Sequence, residues 1–225
     1  MQKHLTRRTV LRVHKKLVRL YGEPKRRRRQ SALAQLVATI LSQNTADVNT
    51  ARAFDSLQTR FPTWEQVRDA PTHAIVKAIR SAGLANTKAP RIQAILHQLT
   101  RERGELSLDF LRAMPVEQAR EYLMNLKGVG PKTAAIVLLF TFGKPAFPVD
   151  THIWRVTRRL GWIPPQASRE QAHILLEALV PPELYYPLHL NLIAHGRAVC
   201  QARRPRCEVC PLKAECDYYQ QRDRL

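Results

Sequence analysis

No apolar run in this chain approaches the ~20 consecutive residues of a membrane-spanning helix, so no such span is expected. The apolar/polar alternation of half-buried strands is missing too, which argues against a sheet architecture. Acidic residues are scarce, 18 against 37 lysines and arginines, giving a formal net charge of +19 in 225 residues. Such an excess points to a polyanionic partner. The basic residues are spread along the chain rather than gathered on one amphipathic stretch, which favours nucleic acid over an anionic lipid surface. Met1 to Val10 is basic and polar, without the apolar segment of an export signal, so a cytoplasmic, reducing setting is expected. At this length the chain forms one large domain or two small ones sharing an interface.

Cysteine is rare and confined. The only four, Cys200, Cys207, Cys210 and Cys216, are spaced C-x6-C-x2-C-x5-C within seventeen residues. Two disulfides would suit a secreted protein, not a reducing compartment. Structural zinc sites usually pair two tight knuckles across a longer gap. Here only Cys207 and Cys210 form a knuckle, and Cys200 and Cys216 flank it at wider offsets, as ligands wrapping a bulkier cube would. The spacing therefore favours a 4Fe-4S cluster, with zinc as the alternative, since thiolates suit both.

Helical periodicity runs through nearly the whole chain, and the reading is an all-α protein. Ser31 is placed to cap a helix whose apolar stripe is Leu33, Leu36, Val37, Ile40 and Leu41. Thr63 with Gln66 and Ser168 with Gln171 form capping-box pairs, Gly83 reads as a helix stop, and Ile92, Ile95, Leu96 and Leu99 line another face. Thr133 to Phe142 is apolar nearly all round and predicts a central buried helix. The dense charge run Lys25-Arg26-Arg27-Arg28-Arg29 is either a solvated linker or a phosphate contact.

Just before the buried helix stands Leu126-Lys127-Gly128-Val129-Gly130-Pro131-Lys132-Thr133. Gly128 and Gly130 permit positive φ and leave backbone N–H groups uncovered, Val129 can anchor the turn, and Pro131 suits the first helical position. Free N–H groups at a helix start make a small anion site, suited to a DNA phosphate. Lys132 then lies in the first helical turn, where the helix dipole disfavours a cation and favours the neutral, nucleophilic amine. From a reference pKa of ~10.4, about one lysine in a thousand is neutral near physiological pH, so reversing that is worth ~4 kcal/mol. The dipole supplies roughly 0.3 to 1 kcal/mol, so burial or a proton acceptor must supply the rest. Asp150 is the candidate acceptor, although its place before Thr151-His152-Ile153 also makes it a plain helix N-cap.

The hairpin, Val149-Asp150-Thr151-His152, and His195-Gly196-Arg197 leading into the cysteines together resemble the endonuclease III family of helix-hairpin-helix DNA glycosylases, collinearly from about Ser31 to Asp217. That resemblance implies a bifunctional DNA glycosylase/AP lyase of base excision repair. Such an enzyme removes oxidised pyrimidines from duplex DNA through a lysine Schiff base and β-elimination. Its partner would be double-stranded DNA carrying damaged bases or abasic sites, met by a monomer in the cytoplasm beside the nucleoid. In the family, the lysine matching Lys132 is the nucleophile and the aspartate matching Asp150 activates it. The four cysteines correspond to the ligands of a 4Fe-4S cluster. Gly128, Val129 and Gly130 of the hairpin, and His152, are placed among the DNA contacts.

By the same resemblance two loops fill the gap left by a flipped nucleotide. Leu84 matches an intercalating leucine, and Asn44 falls where many members carry glutamine; Gln43 can substitute if the loop is shifted by one residue. A core or cap leucine and an Asx cap are the alternatives for Leu84 and Asn44. Lys127 and Pro131 depart from the proline and arginine common in relatives, removing one phosphate-facing charge near the nucleophile. Arg203, Arg204 and Arg206, between Cys200 and Cys207, would form a rigid basic finger for the DNA backbone or balance the charge of the thiolates.

The family fold implies two helical lobes with a DNA cleft between them. They would be a helical barrel with the helix-hairpin-helix at 27–144, and a discontinuous cluster domain of 1–26 with 145–225. A monofunctional mismatch glycosylase is the alternative, but such relatives usually lack the lysine, and the adenine-specific ones carry a further C-terminal domain where this chain ends nine residues after Cys216. A non-catalytic DNA-binding iron-sulfur protein is the other.

Overall fold

Every regular element among the described residues, 6–25 and 30–222 of the computed structural model, is helical, as the periodicity predicts. The α-helices are α1 (Arg7–Tyr21), α2 (Ala32–Leu41), α3 (Asp47–Arg60), α4 (Trp64–Asp69), α5 (Thr72–Ala78), α6 (Ala85–Arg103), α7 (Val116–Asn125), α8 (Pro131–Ile136), α9 (Thr151–Arg159), α10 (Arg169–Leu179), α11 (Tyr185–Ala198) and α12 (Asp217–Arg222). Among the described residues, none is long and apolar enough to cross a membrane. Of the charge run Lys25–Arg29, only Lys25 lies within the described residues. The chain divides into two units: Arg29–Lys144 is continuous, and Met1–Arg28 combines with Pro145–Leu225.

In the continuous unit, the local signals act where they stand. The Ser31 hydroxyl accepts from the Ala34 N–H at 3.2 Å, and Leu33, Leu36, Val37, Ile40 and Leu41 are all at most 2% exposed. Each such leucine or isoleucine contributes roughly 1.5–3 kcal/mol over an exposed one. Thr63 and Gln66 complete a reciprocal capping box on α4. The stripe Ile92, Ile95, Leu96 and Leu99 of α6 is buried. Gln93 on the same helix donates to the carbonyls of Val67 and Ala70, closing the turn after α4. The buried helix after the hairpin departs from the expectation in one respect. Pro131–Ile136 winds as α and Val137–Phe142 as π, ending at Gly143 with φ 71. Thr133, Ala134, Ala135, Val137, Leu138, Leu139 and Thr141 are buried along it.

In the discontinuous unit, Val10, Val13 and Leu17 form a fully buried stripe on α1, which packs against α11. Polar ties reinforce that pairing, Asn191 donating to Gly22 O and Tyr186 to Lys25 O, and Lys16 joins α1 to the cysteine segment by donating to Glu215 at 2.8 Å. The extended strap 145–150 is fixed from three side chains. His173 Nδ1 donates to Phe147 O, His189 Nδ1 to Pro148 O, and Glu177 accepts from Phe147 N–H at 2.7 Å. Those bonds satisfy a backbone that no helix ladder serves, and they aim the strap into α9.

Candidate DNA-binding hairpin, capping carboxylate and thiol cavity

The hairpin joins α7 to α8. Leu126 ends α7 in extended backbone, and Val129 N–H returns to Leu126 O at 3.1 Å, so the turn is closed by main chain alone. Val129 is 6% exposed and anchors it. The two glycines differ in whether they take the positive φ open to both. Gly128 does, at φ 78, whereas Gly130 is extended, at φ −101 and ψ −179. A Cβ on Gly128 would lie 2.8 Å from Arg91 Cδ; one on Gly130 would meet nothing within 4 Å. Gly130 is thus required neither by its torsions nor by its protein neighbours. What a side chain there would obstruct is approach from outside to the first N–H groups of α8.

Pro131 takes the first position of α8 and Lys132 the second, half-buried, with no hydrogen bond or ion pair among the described residues. The side chain of Gln43 turns to the hairpin in a long 3.5 Å contact with Gly128 O. Asn44, next to it, is exposed at φ 53; the N-cap of α3 is Ala46, so the Asx-cap reading of Asn44 does not hold. Leu84 is 58% exposed at φ 49, which removes the core reading, while the cap reading holds, since it is the N-cap residue of α6. A left-handed, exposed leucine is strained by roughly 1–2 kcal/mol and is a position at which to look for function.

In the other unit, Asp150 is the N-cap of α9: its Oδ1 accepts from Ile153 N–H at 2.8 Å, leaving Oδ2 without a partner among the described residues. His152 accepts at Nδ1 from Arg155 at 3.0 Å, so its proton is on Nε2; burial is the main cause that lowers its pKa. Arg155 also donates to Gly196 O and Cys200 O. Gly196 explains its own place between His195 and Arg197. A Cβ there would fall 2.8 Å from His152 Cβ, so only glycine lets α11 come this close to α9.

All four cysteines are free thiols lining one cavity, about 300 Å³ of empty space, part of it open to solvent. Among the described residues no three Cys, His, Asp or Glu side chains form a site for a metal ion. The donor set nevertheless fits a larger thiolate-bound group. Arg159 sends one guanidinium nitrogen to Cys200 Sγ at 3.3 Å and binds the carbonyls of Gln201 and Ala202, placing a positive charge beside the sulfur. Cys216 Sγ donates to Arg159 O at 3.3 Å. His195 bridges Tyr21 Oη, at 3.3 Å, and Cys210 Sγ, at 3.6 Å; burial lowers its pKa to about 4, so the ring is neutral. Burial raises the thiol of Cys216 to about 11 and also raises that of Cys210, so a cationic group bound here would displace protons from them.

Arg203, Arg204 and Arg206 are all exposed, and Arg204 adopts φ 47. Arg159, from α9, is the arginine hydrogen-bonded to a cysteine sulfur, and of the loop arginines Arg206 also lines the cavity. Sequence reading missed Arg159, Arg155 and Arg91. The first two act across more than forty residues, through contacts with no local periodicity.

A helical hairpin opening a buried helix in one unit and a cysteine-lined cavity in the other are the features of a helix-hairpin-helix protein of the DNA-repair type, and comparison agrees. The profile described as HhH-GPD superfamily base excision DNA repair protein matches residues 37–182. The endonuclease III of Thermotoga maritima is 34% identical over 199 residues, covering 88% of this chain and 89% of that protein. The chain belongs to the endonuclease III family of the HhH-GPD superfamily. A solved non-covalent endonuclease III–DNA complex superposes with a TM-score of 0.83 at 28% identity, covering 98% of this chain and 100% of that one. DNA glycosylase/AP lyase ROS1 of Arabidopsis thaliana is 34% identical over 173 residues, 69% of this chain. Other relatives are longer. The chain spans 66% of an Arabidopsis thaliana protein 41% identical to it, and 9–13% of the plant DEMETER and ROS1 proteins.

Proposed function

We propose that this protein is a bifunctional DNA glycosylase and AP lyase that removes oxidised pyrimidines from duplex DNA, acting as a monomer on nucleoid DNA in the cytoplasm. The observation that carries the reading is Lys132: a half-buried amine without a partner among the described residues, one residue past Pro131, on a helix whose preceding glycine leaves the backbone open. The name of ROS1 pairs the two activities, and a trapped endonuclease III–DNA covalent intermediate, 28% identical to this chain, supports covalent chemistry in a relative.

Phosphates would be held by the N–H groups of Gly128 and Gly130, on a turn anchored by Val129, and by Arg203, Arg204 and Arg206, while His152 lies at the start of α9 beside Asp150. An extruded nucleotide leaves a gap for Leu84 and Asn44; Gln43, turned to the hairpin, is less free to fill it. Lys132 Nζ attacks C1′, the C1′–N bond breaks, and the base departs with a proton. The sugar opens to an imine on the lysine, C2′ loses a proton, the C3′–O bond breaks to release the 3′ phosphate, and water frees the amine. Asp150, through the oxygen not used in capping, accepts the lysine proton or stabilises the cationic sugar. Cys200, Cys207, Cys210 and Cys216 would hold a 4Fe-4S cluster, whose contribution is four metal–thiolate bonds fixing the arginine loop.

Borohydride trapping on abasic duplex DNA tests the chemistry: a covalent adduct that Lys132→Ala abolishes is expected, and no adduct would leave a monofunctional glycosylase or a non-catalytic DNA-binding protein. Iron and sulfide, four of each per chain, are expected in protein purified without oxygen. A colourless preparation with stoichiometric zinc would overturn the cluster.

A further inference from the structure

Lys88 is a lysine at 1% exposure, buried in the continuous unit with no ion-paired carboxylate among the described residues. Its ammonium donates to Leu41 O at 2.7 Å and to Ala82 O at 2.8 Å, with a longer third contact to Thr45 Oγ1 at 3.4 Å. The Thr45 hydroxyl itself donates to Ala82 O. Leu41 is the last residue of α2, and Ala82 the last of the 3₁₀ turn Arg80–Ala82. Both carbonyls are therefore helix-end acceptors carrying the negative end of a dipole, which a cation satisfies best.

The two clamped segments are those that end in the exposed left-handed residues. Three residues beyond Leu41 stands Asn44 at φ 53; two beyond Ala82 stands Leu84 at φ 49. One buried charge thus ties both tips to the same point. An apolar side chain of equal length would fill this space without the desolvation penalty of a buried cation, so packing does not account for the lysine.

We propose that Lys88 is a positioning residue of the gap-filling loops, a buried ammonium that holds Asn44 and Leu84 at the spacing needed for both to enter the space vacated by a flipped nucleotide. This rests on the DNA-repair reading above. Its test has a readout that does not need the chemistry. A duplex carries a tetrahydrofuran abasic analogue with 2-aminopurine as the unpaired base opposite, and insertion of the tips changes the stacking and so the fluorescence of that base.

Lys88→Met is expected to bind this duplex within about threefold of the natural chain yet lose most of the fluorescence change. Its base excision from a fully paired lesion should fall roughly tenfold or more, its trapping at an abasic site falling less, because misplacement of the tips weighs most where flipping costs most. A retained fluorescence change, or an equal loss of binding, excision and trapping, would overturn the proposal. If Lys88→Met does not fold, Thr45→Val decides: the same split in milder form supports it, and behaviour like the natural chain overturns it. Absence of any borohydride adduct with the natural protein defeats the lyase reading, while the fluorescence arm still decides Lys88.

Discussion

The side chain of Arg91 lies across Gly128, so close that a Cβ on the glycine would sit 2.8 Å from Cδ and 3.1 Å from Nε. Gly128 is therefore constrained twice, by its φ of 78 and by the arginine stem. Gly128→Ala should destabilise the protein by about 1–2 kcal/mol, mostly from left-handed strain. Because the obstructing atoms belong to a flexible side chain, Arg91→Ala in the same chain should restore only a small part. Thermal melts of the two single variants and the double variant would check this; full rescue by Arg91→Ala would show that the contact, not the torsion, dominates.

Arg91 also places a guanidinium beside a hairpin that lacks arginine at Pro131, so it can supply the phosphate-facing charge. Arg91→Ala should weaken duplex binding by a similar factor for every sequence and reduce the slope of log affinity against log salt by about 0.9. An unchanged slope would remove Arg91 from the phosphate contacts.

Asp150 combines a cap with a carboxylate whose second oxygen has no partner among the described residues. Asparagine caps as well as aspartate, so Asp150→Asn should keep stability within about 0.5 kcal/mol while excision falls about 10²-fold or more. Asp150→Ala should add a stability loss of about 1 kcal/mol. Equal melting losses in the two variants, with excision preserved in Asp150→Asn, would leave the residue as a cap alone.

Gly196 faces His152 at a distance that no Cβ tolerates, and the obstructing atom is itself a Cβ close to backbone. Gly196→Ala should therefore force α9 and α11 apart, at a cost of about 1–3 kcal/mol. A melt unchanged from that of the natural chain would contradict the close approach.

Lys88 carries a pKa lowered from 10.5 by burial. Below the folded value both states are protonated, and the full cost of burying the charge is present. As pH rises through the folded value towards 10.5, the unfolded chain binds more protons than the native one, so unfolding becomes harder. Relative to Lys88→Met, the natural chain should gain stability across that alkaline window and plateau above it. A gap in melting temperature that moves the other way would mean that the folded site raises the pKa of Lys88 rather than lowering it.

What the sequence made legible was local. Ser31, the two capping boxes and Asp150 act on N–H groups three residues ahead, so their spacing suffices to identify them. The buried stripes of α2 and α6 follow from period alone. Gly130 was placed at its turn but for an incomplete reason, because freedom of φ and absence of a side chain look alike in a sequence. Arg159 and Arg155 gave no signal, since what they bind is over forty positions away. Lys88 did carry one: it sits a turn before Ile92, Ile95 and Leu99, on the same apolar stripe. A lone cation continuing a buried face is readable as an interior charge in need of acceptors.

The division of the chain also bears on synthesis. Arg29–Lys144 leaves the ribosome uninterrupted and can fold as it emerges, whereas α1, made before it, finds its partner α11 only after all of it has been made. Until then Val10, Val13 and Leu17 have no native cover from that helix. The nascent chain must therefore carry the uncovered apolar stripe of α1 until α11 has been made, and the four cysteines, made after α11, are added to a unit that closes only once its two distant pieces meet.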